Sequence, residues 1–281
     1  MILIIVLELF VLITFVVPKH GVPPKPRFEG KIKSSSMQAE VAKSVALWSP
    51  RDKNNAWELS GQFEGDIMLY DNPDLKNVLQ DDNARWPKAV VPYFIEKMDF
   101  CDDLELLLER RGFFVDYIAQ EDQDVITEAF EEYHMKTCVR FRPYKEGDED
   151  FIRIEGKQSG CWSYVGRHGG GQVVNLQNPG CVHHGIIVHE LLHALGFYHQ
   201  QSAYERDDFV RINWGNIKLG KEHNFRKYGE ATVTNFGVQY DYGSIMHYSA
   251  YAFSKNGKPT ITPLVRMSAN TGLLYMPLPV L

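Results

Sequence analysis

Apolar and polar residues alternate with two periods along the chain, and each period predicts one kind of element. Apolar residues recur at helical spacing in DQDVITEAFEEYHMKT (122–137), which predicts a helix with one apolar face. A second predicted helix, HHGIIVHELLHALG (183–196), is apolar nearly all round, which indicates a place in the core. Five short segments have strand-like patterns, at 89–95, 138–143, 151–156, 161–166 and 171–177.

Strands interleaved with helices and followed by a buried helix predict an α+β domain. The alternation in 138–143 and 151–156 is typical of half-buried strands. Pro92 lies inside the first strand and favours an edge position or a bulge there. Residues 18–82 have a different pattern, first rich in Pro, Lys and Ser and then apolar without a sustained period. This region is predicted to be a propeptide or linker without a core of its own.

The overall charge excludes little but disfavours one class of partner. The 281 residues carry a formal net charge of −6, whereas nucleic-acid binding usually needs a basic face.

The first 17 residues are almost all apolar. Because a membrane span needs about 20 residues, we predict a signal peptide over 1–17 and a secreted, extracellular protein, with an uncleaved anchor as the alternative. Cysteines in a secreted chain predict disulfides, and four of them allow three pairings: Cys101, Cys138, Cys161 and Cys181.

The segment HELLHALGFYH (189–199) has the spacing of a catalytic metal site. His189 and His193 lie four apart and share a helix face, and a turn at Gly196 can bring His199 beside them. Three nitrogen ligands leave one position of a zinc ion open for water, whose pKa zinc lowers from about 15.7 towards 7. Glu190 can take a proton from that water, which then attacks an amide carbonyl. The alternative is a buried helix with hydrogen-bonded histidines, but the full motif fixes five positions.

A second motif follows about 45 residues downstream, where the metzincin pattern has a methionine turn. SIMHYS (244–249) contains Met246, which would pass beneath the metal as an apolar floor. On its own, this fragment would be a strand with an ordinary core methionine. Its position after the three-histidine motif favours the metal site.

Together these residues resemble the astacin family of secreted zinc endopeptidases, which are metzincins. The resemblance runs from Phe63 to Pro263 and includes KTCVRF, SGCWSYVG and NPGCVHHG. It implies a two-lobed catalytic domain, with a mixed twisted sheet and long helices in the upper lobe and an irregular lower lobe. One Zn²⁺ would lie in the cleft between them. The expected function is hydrolysis of peptide bonds in protein or peptide substrates.

The resemblance also assigns roles to single residues. Glu190 would be the general base and acid that activates the zinc-bound water. Tyr248 would bind zinc in the resting enzyme and stabilise the oxyanion during turnover. The expected zinc ligands are His189, His193 and His199.

Two further features are implied by the resemblance alone. One is a disulfide between Cys161 and Cys181; the family partner of Cys138 is absent here, and Cys101 could replace it only where geometry allows, so that pairing stays open. The other is an edge strand on which substrate docks by strand addition, formed by Gln172, Val173, Val174, Asn175 and Leu176.

The N-terminal region resembles an astacin propeptide, predicted over residues 18–76. FEGD (63–66) matches the family's aspartate switch, in which Asp66 would bind zinc only in the latent zymogen. Family enzymes begin nine residues before a tryptophan, which is Trp86 here. A trypsin-like protease would therefore cut between Lys76 and Asn77. The product would be a monomer without stable membrane association, comprising the protease domain (77–264).

The chain departs from the family at several places. The family signature continues after the third histidine as E-x-x-R-x-D-R-D, but Gln200, Ala203 and Glu205 replace its glutamate, arginine and first aspartate. In the family that glutamate forms a buried link with the mature N-terminus, and glutamine lacks the charge. Residues 101–116 are an unusual insertion, and 265–281 are a divergent tail without the family's last helix.

These departures support one alternative function, a catalytically impaired, zinc-stabilised protein that binds peptides. The missing C-terminal part of the domain favours it, and the intact Glu190 argues against it. The remaining histidines that we considered lack ligand spacing with a carboxylate or cysteine and are predicted to pack or face solvent: His168, His183, His184 and His247.

Overall fold

The structure is a computed structural model that describes residues 23–24, 35–69, 84–96 and 120–264. Several predictions lie outside these ranges: the signal peptide, the cleavage between Lys76 and Asn77, the insertion 101–116 with Cys101, and the tail 265–281. Within the described ranges, no helix is both long enough and apolar enough to cross a membrane.

A five-stranded mixed sheet forms the upper lobe. Its strands are β1 (Val90–Ile95), β2 (Arg140–Pro143), β3 (Phe151–Glu155), β4 (Cys161–Ser163) and β5 (Gly171–Leu176), and they lie in the order β2-β1-β3-β5-β4. All pairs are parallel except β4–β5, which is antiparallel. The helices of this lobe are α2 (Gln120–Lys136) and α3 (His184–Leu195), numbered after the N-terminal helix α1 (Ser35–Ala46).

Helices α2 and α3 pack against one face of the sheet and close the main core. Ile152 and Ile154 of β3 point into this core. The predicted half-burial of this strand is wrong, because all five residues of β3 are buried. Arg153 is buried on the opposite face because its guanidinium pairs with the carboxylates of Glu96 and Glu155, at 2.8 and 3.2 Å. A paired charge can be buried where a lone one cannot.

The prediction for Pro92 is also wrong, since β1 lies between β2 and β3 and is not an edge strand. Pro92 is in register with Arg142 of β2. Pairing with β3 begins only at the next residue, Tyr93. The missing N–H of proline therefore falls at the end of the β3 ladder, where its absence breaks no bond.

The lower lobe follows α3 and is largely irregular, as predicted. Its regular part among the described residues is a two-stranded antiparallel sheet of β6 (Val210–Ile212) and β7 (Ile261–Pro263). A second apolar core holds it together, with Phe225, Tyr248 and Ala252 all fully buried. The two-lobed α+β architecture is therefore confirmed.

Residues 35–69, called here the N-terminal segment, dock onto both lobes. The segment begins with helix α1, which the sequence pattern did not predict. The Gln177 amide donates to the Ala42 carbonyl at 2.7 Å, and Val45 is fully buried. Gly180 (φ 123°) lets the helix approach, because a Cβ there would lie 2.4 Å from the Val45 oxygen. Contact with the main domain, more than its own periodicity, stabilises α1.

Candidate metal centre

Helix α3 places two imidazoles on one face, and the following turn adds a third. Gly196 ends the helix in the left-handed conformation (φ 111°), and its N–H donates to the His193 carbonyl. The chain then reverses, so that the His199 ring lies 5.4 Å from the His189 ring and 4.8 Å from the His193 ring, between centroids. All three side chains are buried.

Each of these histidines is oriented through its Nδ1 atom. His189 Nδ1 lies 2.9 Å from the Ile245 carbonyl, and His193 Nδ1 lies 2.7 Å from the Phe197 carbonyl. His199 Nδ1 instead lies 2.9 Å from a carboxylate oxygen of Glu64, in the N-terminal segment. With Nδ1 engaged as a donor, each Nε2 presents a lone pair to the centre, which is the state a metal ligand needs.

Asp66 occupies the point where the three Nε2 atoms converge. Its Oδ2 lies 2.8 Å from His189 Nε2, 3.3 Å from His199 Nε2 and 3.6 Å from His193 Nε2. One ligand atom from each of the four residues lies within 4.8 Å of the others. His193 Nε2 is buried without a hydrogen-bond partner, which a metal bond would satisfy. Three imidazoles and one carboxylate fit the tetrahedral ligand set of zinc.

The electrostatics of this group favour a bound cation. Burial raises the pKa of Asp66, but His199 and His193 outweigh it and hold that pKa well below its usual range. Burial lowers the pKa of His199, but Asp66 and Glu64 outweigh it and raise the pKa to about 10. Burial lowers the pKa of His189 to about 4. The buried Asp66 carboxylate thus calls for positive charge, which a protonated His199 supplies in this structure and which a divalent cation can supply instead.

Glu190 lies beside the first of these histidines on helix α3. It is fully buried, and neither of its carboxylate oxygens has a hydrogen-bond partner. Burial raises the pKa of Glu190 well above its usual range, and the nearby Asp66 carboxylate raises it further. A carboxyl group of this kind can hold a proton near neutral pH, which general acid–base chemistry requires.

The turn after residue 244 closes the centre from the lower lobe. Met246 is buried, and its carbonyl accepts a hydrogen bond from the Gln200 N–H at 2.9 Å. The Tyr248 hydroxyl donates to the Glu64 carbonyl at 2.5 Å, and its backbone N–H donates to Gln201 Oε1 at 3.1 Å. The expected binding of zinc by Tyr248 in the resting enzyme stays a prediction, and in this structure its hydroxyl bonds to the N-terminal segment.

The N-terminal segment brings three more residues that the sequence analysis did not single out. The Trp57 indole stacks on the His189 ring, with centroids 4.0 Å apart and planes 18° from parallel. The Glu58 carboxylate accepts from the backbone N–H and the hydroxyl of Ser249 at 2.6 and 2.9 Å. Glu64 follows Phe63 in the FEGD motif, so its spacing of two from Asp66 was a usable signal. No comparable sequence signal marked Trp57 or Glu58.

The predicted edge strand is wrong. Residues 172–176 belong to β5, which lies between β3 and β4 and is buried along its whole length. The edge strand is β4, and the N-terminal segment lies along it in the parallel direction. The Ser163 N–H donates to the Asp66 carbonyl at 3.0 Å, and the Met68 N–H donates to the Ser163 carbonyl at 2.8 Å. A three-residue strand had no sequence signal that could reveal its place at the edge.

Cys161 and Cys181 form a disulfide, with their Cα atoms 5.5 Å apart. It joins the edge strand β4 to the loop that leads into α3, so it fixes the metal-binding helix relative to the cleft. Cys138 is free and exposed in the part of the chain that the structure describes. The sequence left open whether Cys138 pairs with Cys101, which lies outside the described residues.

The other histidines lie outside the centre and have ordinary partners. The His247 ring contacts the Tyr240 hydroxyl at 2.6 Å, and His168 Nε2 contacts the Val165 carbonyl at 2.6 Å. His184 pairs with Glu132, and His183 packs edge-on against Trp48.

A cavity of about 510 Å³ lies on the lower side of the centre, beside Gln200. Its walls also include Ala84, Tyr228 and Glu205. The Glu205 carboxylate has one buried oxygen without a hydrogen-bond partner. The cavity is thus lined by the carboxylate of Glu205 and by the uncharged amide of Gln200.

Comparisons with known proteins agree with this geometry. The family model described as Astacin, a peptidase family, matches residues 113–274. Zinc metalloproteinase nas-13 of Caenorhabditis elegans is 42% identical over 203 residues, covering 72% of this chain and 40% of the relative. Meprin A subunit alpha of Rattus norvegicus is 41% identical over 201 residues, covering 71% of this chain and 23% of the relative. The chain therefore spans less than half the length of these curated relatives.

Among solved structures, high choriolytic enzyme 1, a hatching enzyme zinc-protease from Oryzias latipes (medaka fish), superposes with a TM-score of 0.52 at 36% identity. The match covers 66% of this chain and 80% of that one. Its fold and the ligand set described above point to the same conclusion as the sequence matches. The chain belongs to the astacin family, whose members use one zinc ion.

Proposed function

We propose that this protein is a secreted zinc endopeptidase, made as a zymogen whose N-terminal segment covers the active site. One observation carries the proposal: three histidine Nε2 atoms converge on the Asp66 carboxylate, directly beside the unpartnered carboxyl group of Glu190. Removal of Asp66 would leave three ligands and one open position, which is the catalytic zinc arrangement.

The zinc ion, when bound, supplies a positive charge that acidifies water and polarises the scissile carbonyl. As the water oxygen bonds to the carbonyl carbon, Glu190 accepts a proton from the water. It then delivers that proton to the amide nitrogen as the C–N bond breaks, which gives a carboxylic acid and an amine. The Tyr248 hydroxyl, freed from the Glu64 carbonyl, donates a hydrogen bond to the oxyanion.

Substrate docking is proposed to use strand β4 in place of β5. The N–H and C=O groups of Ser163 hold the N-terminal segment, so they are aimed into the cleft and available to another extended chain once the segment leaves. Substrate and N-terminal segment would then exclude each other. This competition supports latency independently of the occupied metal position.

Activation is proposed to follow a trypsin-like cut between Lys76 and Asn77, as in the predicted propeptide arrangement. Ala84 lines the cavity beside Gln200, and it lies seven residues after Asn77. Seven residues can span about 23 Å, so a new N-terminus starting at Asn77 can reach this cavity. The described disulfide supports an oxidising, extracellular location. The mature protein is proposed to act as a monomer.

The decisive experiment joins metal analysis with a protease assay on the full chain. We expect one zinc per chain, no hydrolysis of a fluorogenic peptide before trypsin treatment, and hydrolysis afterwards that a chelator abolishes and zinc restores. N-terminal sequencing of the active form should begin within a few residues of Asn77. A processed chain that holds zinc but hydrolyses nothing would contradict the proposal and support the peptide-binding alternative.

A further inference from the structure

The three metal-site histidines differ in what holds their second nitrogen. For His189 and His193 the acceptor is a backbone carbonyl of the main domain, at Ile245 and Phe197. For His199 the acceptor is the Glu64 carboxylate, which belongs to the N-terminal segment and lies 135 positions away in the chain. The third ligand is therefore oriented from outside the domain that carries it.

Hydrogen bonds to its side chain and to its backbone hold Glu64 in place. Its Oε2 contacts His199 Nδ1 at 2.9 Å, and its Oε1 accepts from the Tyr228 hydroxyl at 2.8 Å. Its N–H donates to Asn224 Oδ1 at 3.1 Å, and its carbonyl accepts from the Tyr248 hydroxyl. The side chains of Glu64 and His199 are both completely shielded from solvent. The carboxylate is thus one member of a closed set of hydrogen bonds.

The local backbone shows that this placement is imposed by the site. Glu64 adopts φ 48° and Gly65 adopts φ 97°, both in the left-handed region. For a residue with a Cβ, that region is unfavourable and persists only where the surroundings enforce it. The result is that Glu64 and Asp66 both reach the histidines, one at an Nδ1 atom and the other at the Nε2 atoms.

We propose that Glu64 is a positioning residue of the metal centre, whose carboxylate orients the His199 imidazole and strengthens its hold on zinc in the uncut chain. A carboxylate that accepts from the outer nitrogen of a ligating imidazole fixes the ring and makes the inner nitrogen a better donor. The N-terminal segment then has two separate effects on the metal: Asp66 adds a ligand, and Glu64 strengthens an existing one.

The proposal rests on the proposed function for the identity of the metal and for the fate of the segment. When the segment leaves, His199 Nδ1 loses the Glu64 carboxylate, and the side chains that contact this carboxylate beside His199 are the hydroxyls of Tyr228 and Ser202. Neither is charged. Zinc should therefore be less tightly bound after processing than the loss of Asp66 alone would predict.

The test measures zinc transfer from the uncut chain to a chromophoric chelator. Glu64→Gln should speed zinc loss about tenfold, the lower end of the effect seen when an outer partner of a metal ligand is removed. The control is Glu40→Gln, which removes an exposed carboxylate on helix α1 of the same segment, away from the histidines of the centre. Glu40→Gln should leave the rate within about twofold of the unaltered chain.

The two effects of the segment are separated in an Asp66→Asn background. Glu64→Gln should still speed zinc loss there, because it acts through His199, and it should shift the visible absorption of the cobalt-substituted chain. The proposal is overturned if Glu64→Gln has no effect, if Glu40→Gln has an equal one, or if the effect vanishes without Asp66. Should Glu64→Gln not fold, Glu64→Asp, which withdraws the carboxylate by one methylene, is measured with the same expectations.

Zinc loss is measured without proteolysis and without turnover. A chain that loses zinc faster on Glu64→Gln but never hydrolyses peptide would contradict the proposed function and leave this inference standing. A chain that is an active zymogen but shows no effect of Glu64→Gln on zinc loss would contradict this inference and leave the proposed function standing.

Discussion

Helix α3 and the N-terminal segment both send side chains into the metal centre, but they do so by different means. The helix presents His189 and His193 through its own period, one turn apart. The segment presents Trp57, Glu64 and Asp66 from a stretch with a three-residue helical turn and isolated bridges. The conformation of the segment depends on its contacts with the surfaces on which it lies. If the two regions separate, helix α3 should therefore keep its conformation, whereas the N-terminal segment should lose its own.

The largest expected effect lies on the helix side. Glu190→Gln keeps the shape of the side chain but removes the proton acceptor, so hydrolysis by the processed protein should fall by about 10²- to 10⁴-fold. Zinc content should not change, because Glu190 is not among the four converging ligands. Peptide turnover and metal analysis check this. Glu128→Gln, an exposed carboxylate on α2, serves as the control, and equal activity of both variants would contradict the mechanism.

The next effect lies on the segment side. Trp57→Ala removes a fully buried indole that stacks on the His189 ring, and such truncations cost about 3–5 kcal/mol. We expect hydrogen exchange across residues 35–69 to accelerate while exchange in helix α3 stays slow. Leu47→Ala, at a position 72% exposed in the same segment, should change little. Matching loss of protection in α3 would show that the two regions are not separable.

A smaller effect concerns pH. Burial raises the pKa of Glu58 from 4.5 to about 7, although hydrogen bonds from Ser249, Asn54 and Asn55 oppose the shift. A pKa raised on docking favours the docked segment when Glu58 is protonated. Its contribution is fully present below about pH 4.5 and is lost as pH rises through about 7, by about 3 kcal/mol in all.

Protection factors of residues 35–69 at pH 5.5 and 8 measure this dependence. Glu58→Gln, which cannot ionise, should flatten the part of the pH dependence that Glu58 causes. An unchanged pH dependence in this variant would refute the assignment. Since Ser249 follows Tyr248 directly, this carboxyl group connects the segment to the catalytic turn.

The smallest effect tests a contact inside the main domain. Gln201→Ala removes the acceptor for the Tyr248 backbone N–H, a hydrogen bond worth about 1 kcal/mol. In the processed protein, kcat should fall about fivefold with little change in KM, because Tyr248 is proposed to stabilise the transition state. Gln239→Ala, at an exposed position, is the control. A rise in KM alone would show that Gln201 serves substrate binding instead.

The parts of the site that the sequence predicted are those set by local spacing. His189, His193 and the turn at Gly196 follow from helical geometry, and Asp66 was found through the FEGD motif. Glu64 belongs to the same motif, and its spacing of two from Asp66 was a usable signal. The motif match assigned a role to Asp66 only, and nothing in the sequence names His199, 135 positions away, as the partner of Glu64.

Local patterns also decide which elements of the fold were predictable from the sequence. Helices α2 and α3 were predicted because their apolar faces repeat within a few residues. Helix α1 was missed because docking stabilises it, and the order of β5 and β4 was missed because strand order is a property of the whole sheet. Pairing across the sheet decides which strand is the edge, and a three-residue strand such as β4 leaves little pattern to read.

Under the proposed zymogen mechanism, the backbone bonds between Ser163 and the N-terminal segment have a consequence for how the segment would leave the cleft. While segment and domain share one uncut chain, each sees the other at an effective concentration on the order of millimolar. A cut near Lys76 removes none of the described contacts. It only turns an intramolecular encounter into a bimolecular one, so the excised piece departs at a rate set by its own dissociation and returns in proportion to its concentration. Under that mechanism, dilution of the excised piece into a larger volume would clear the cleft, more than bond cleavage itself.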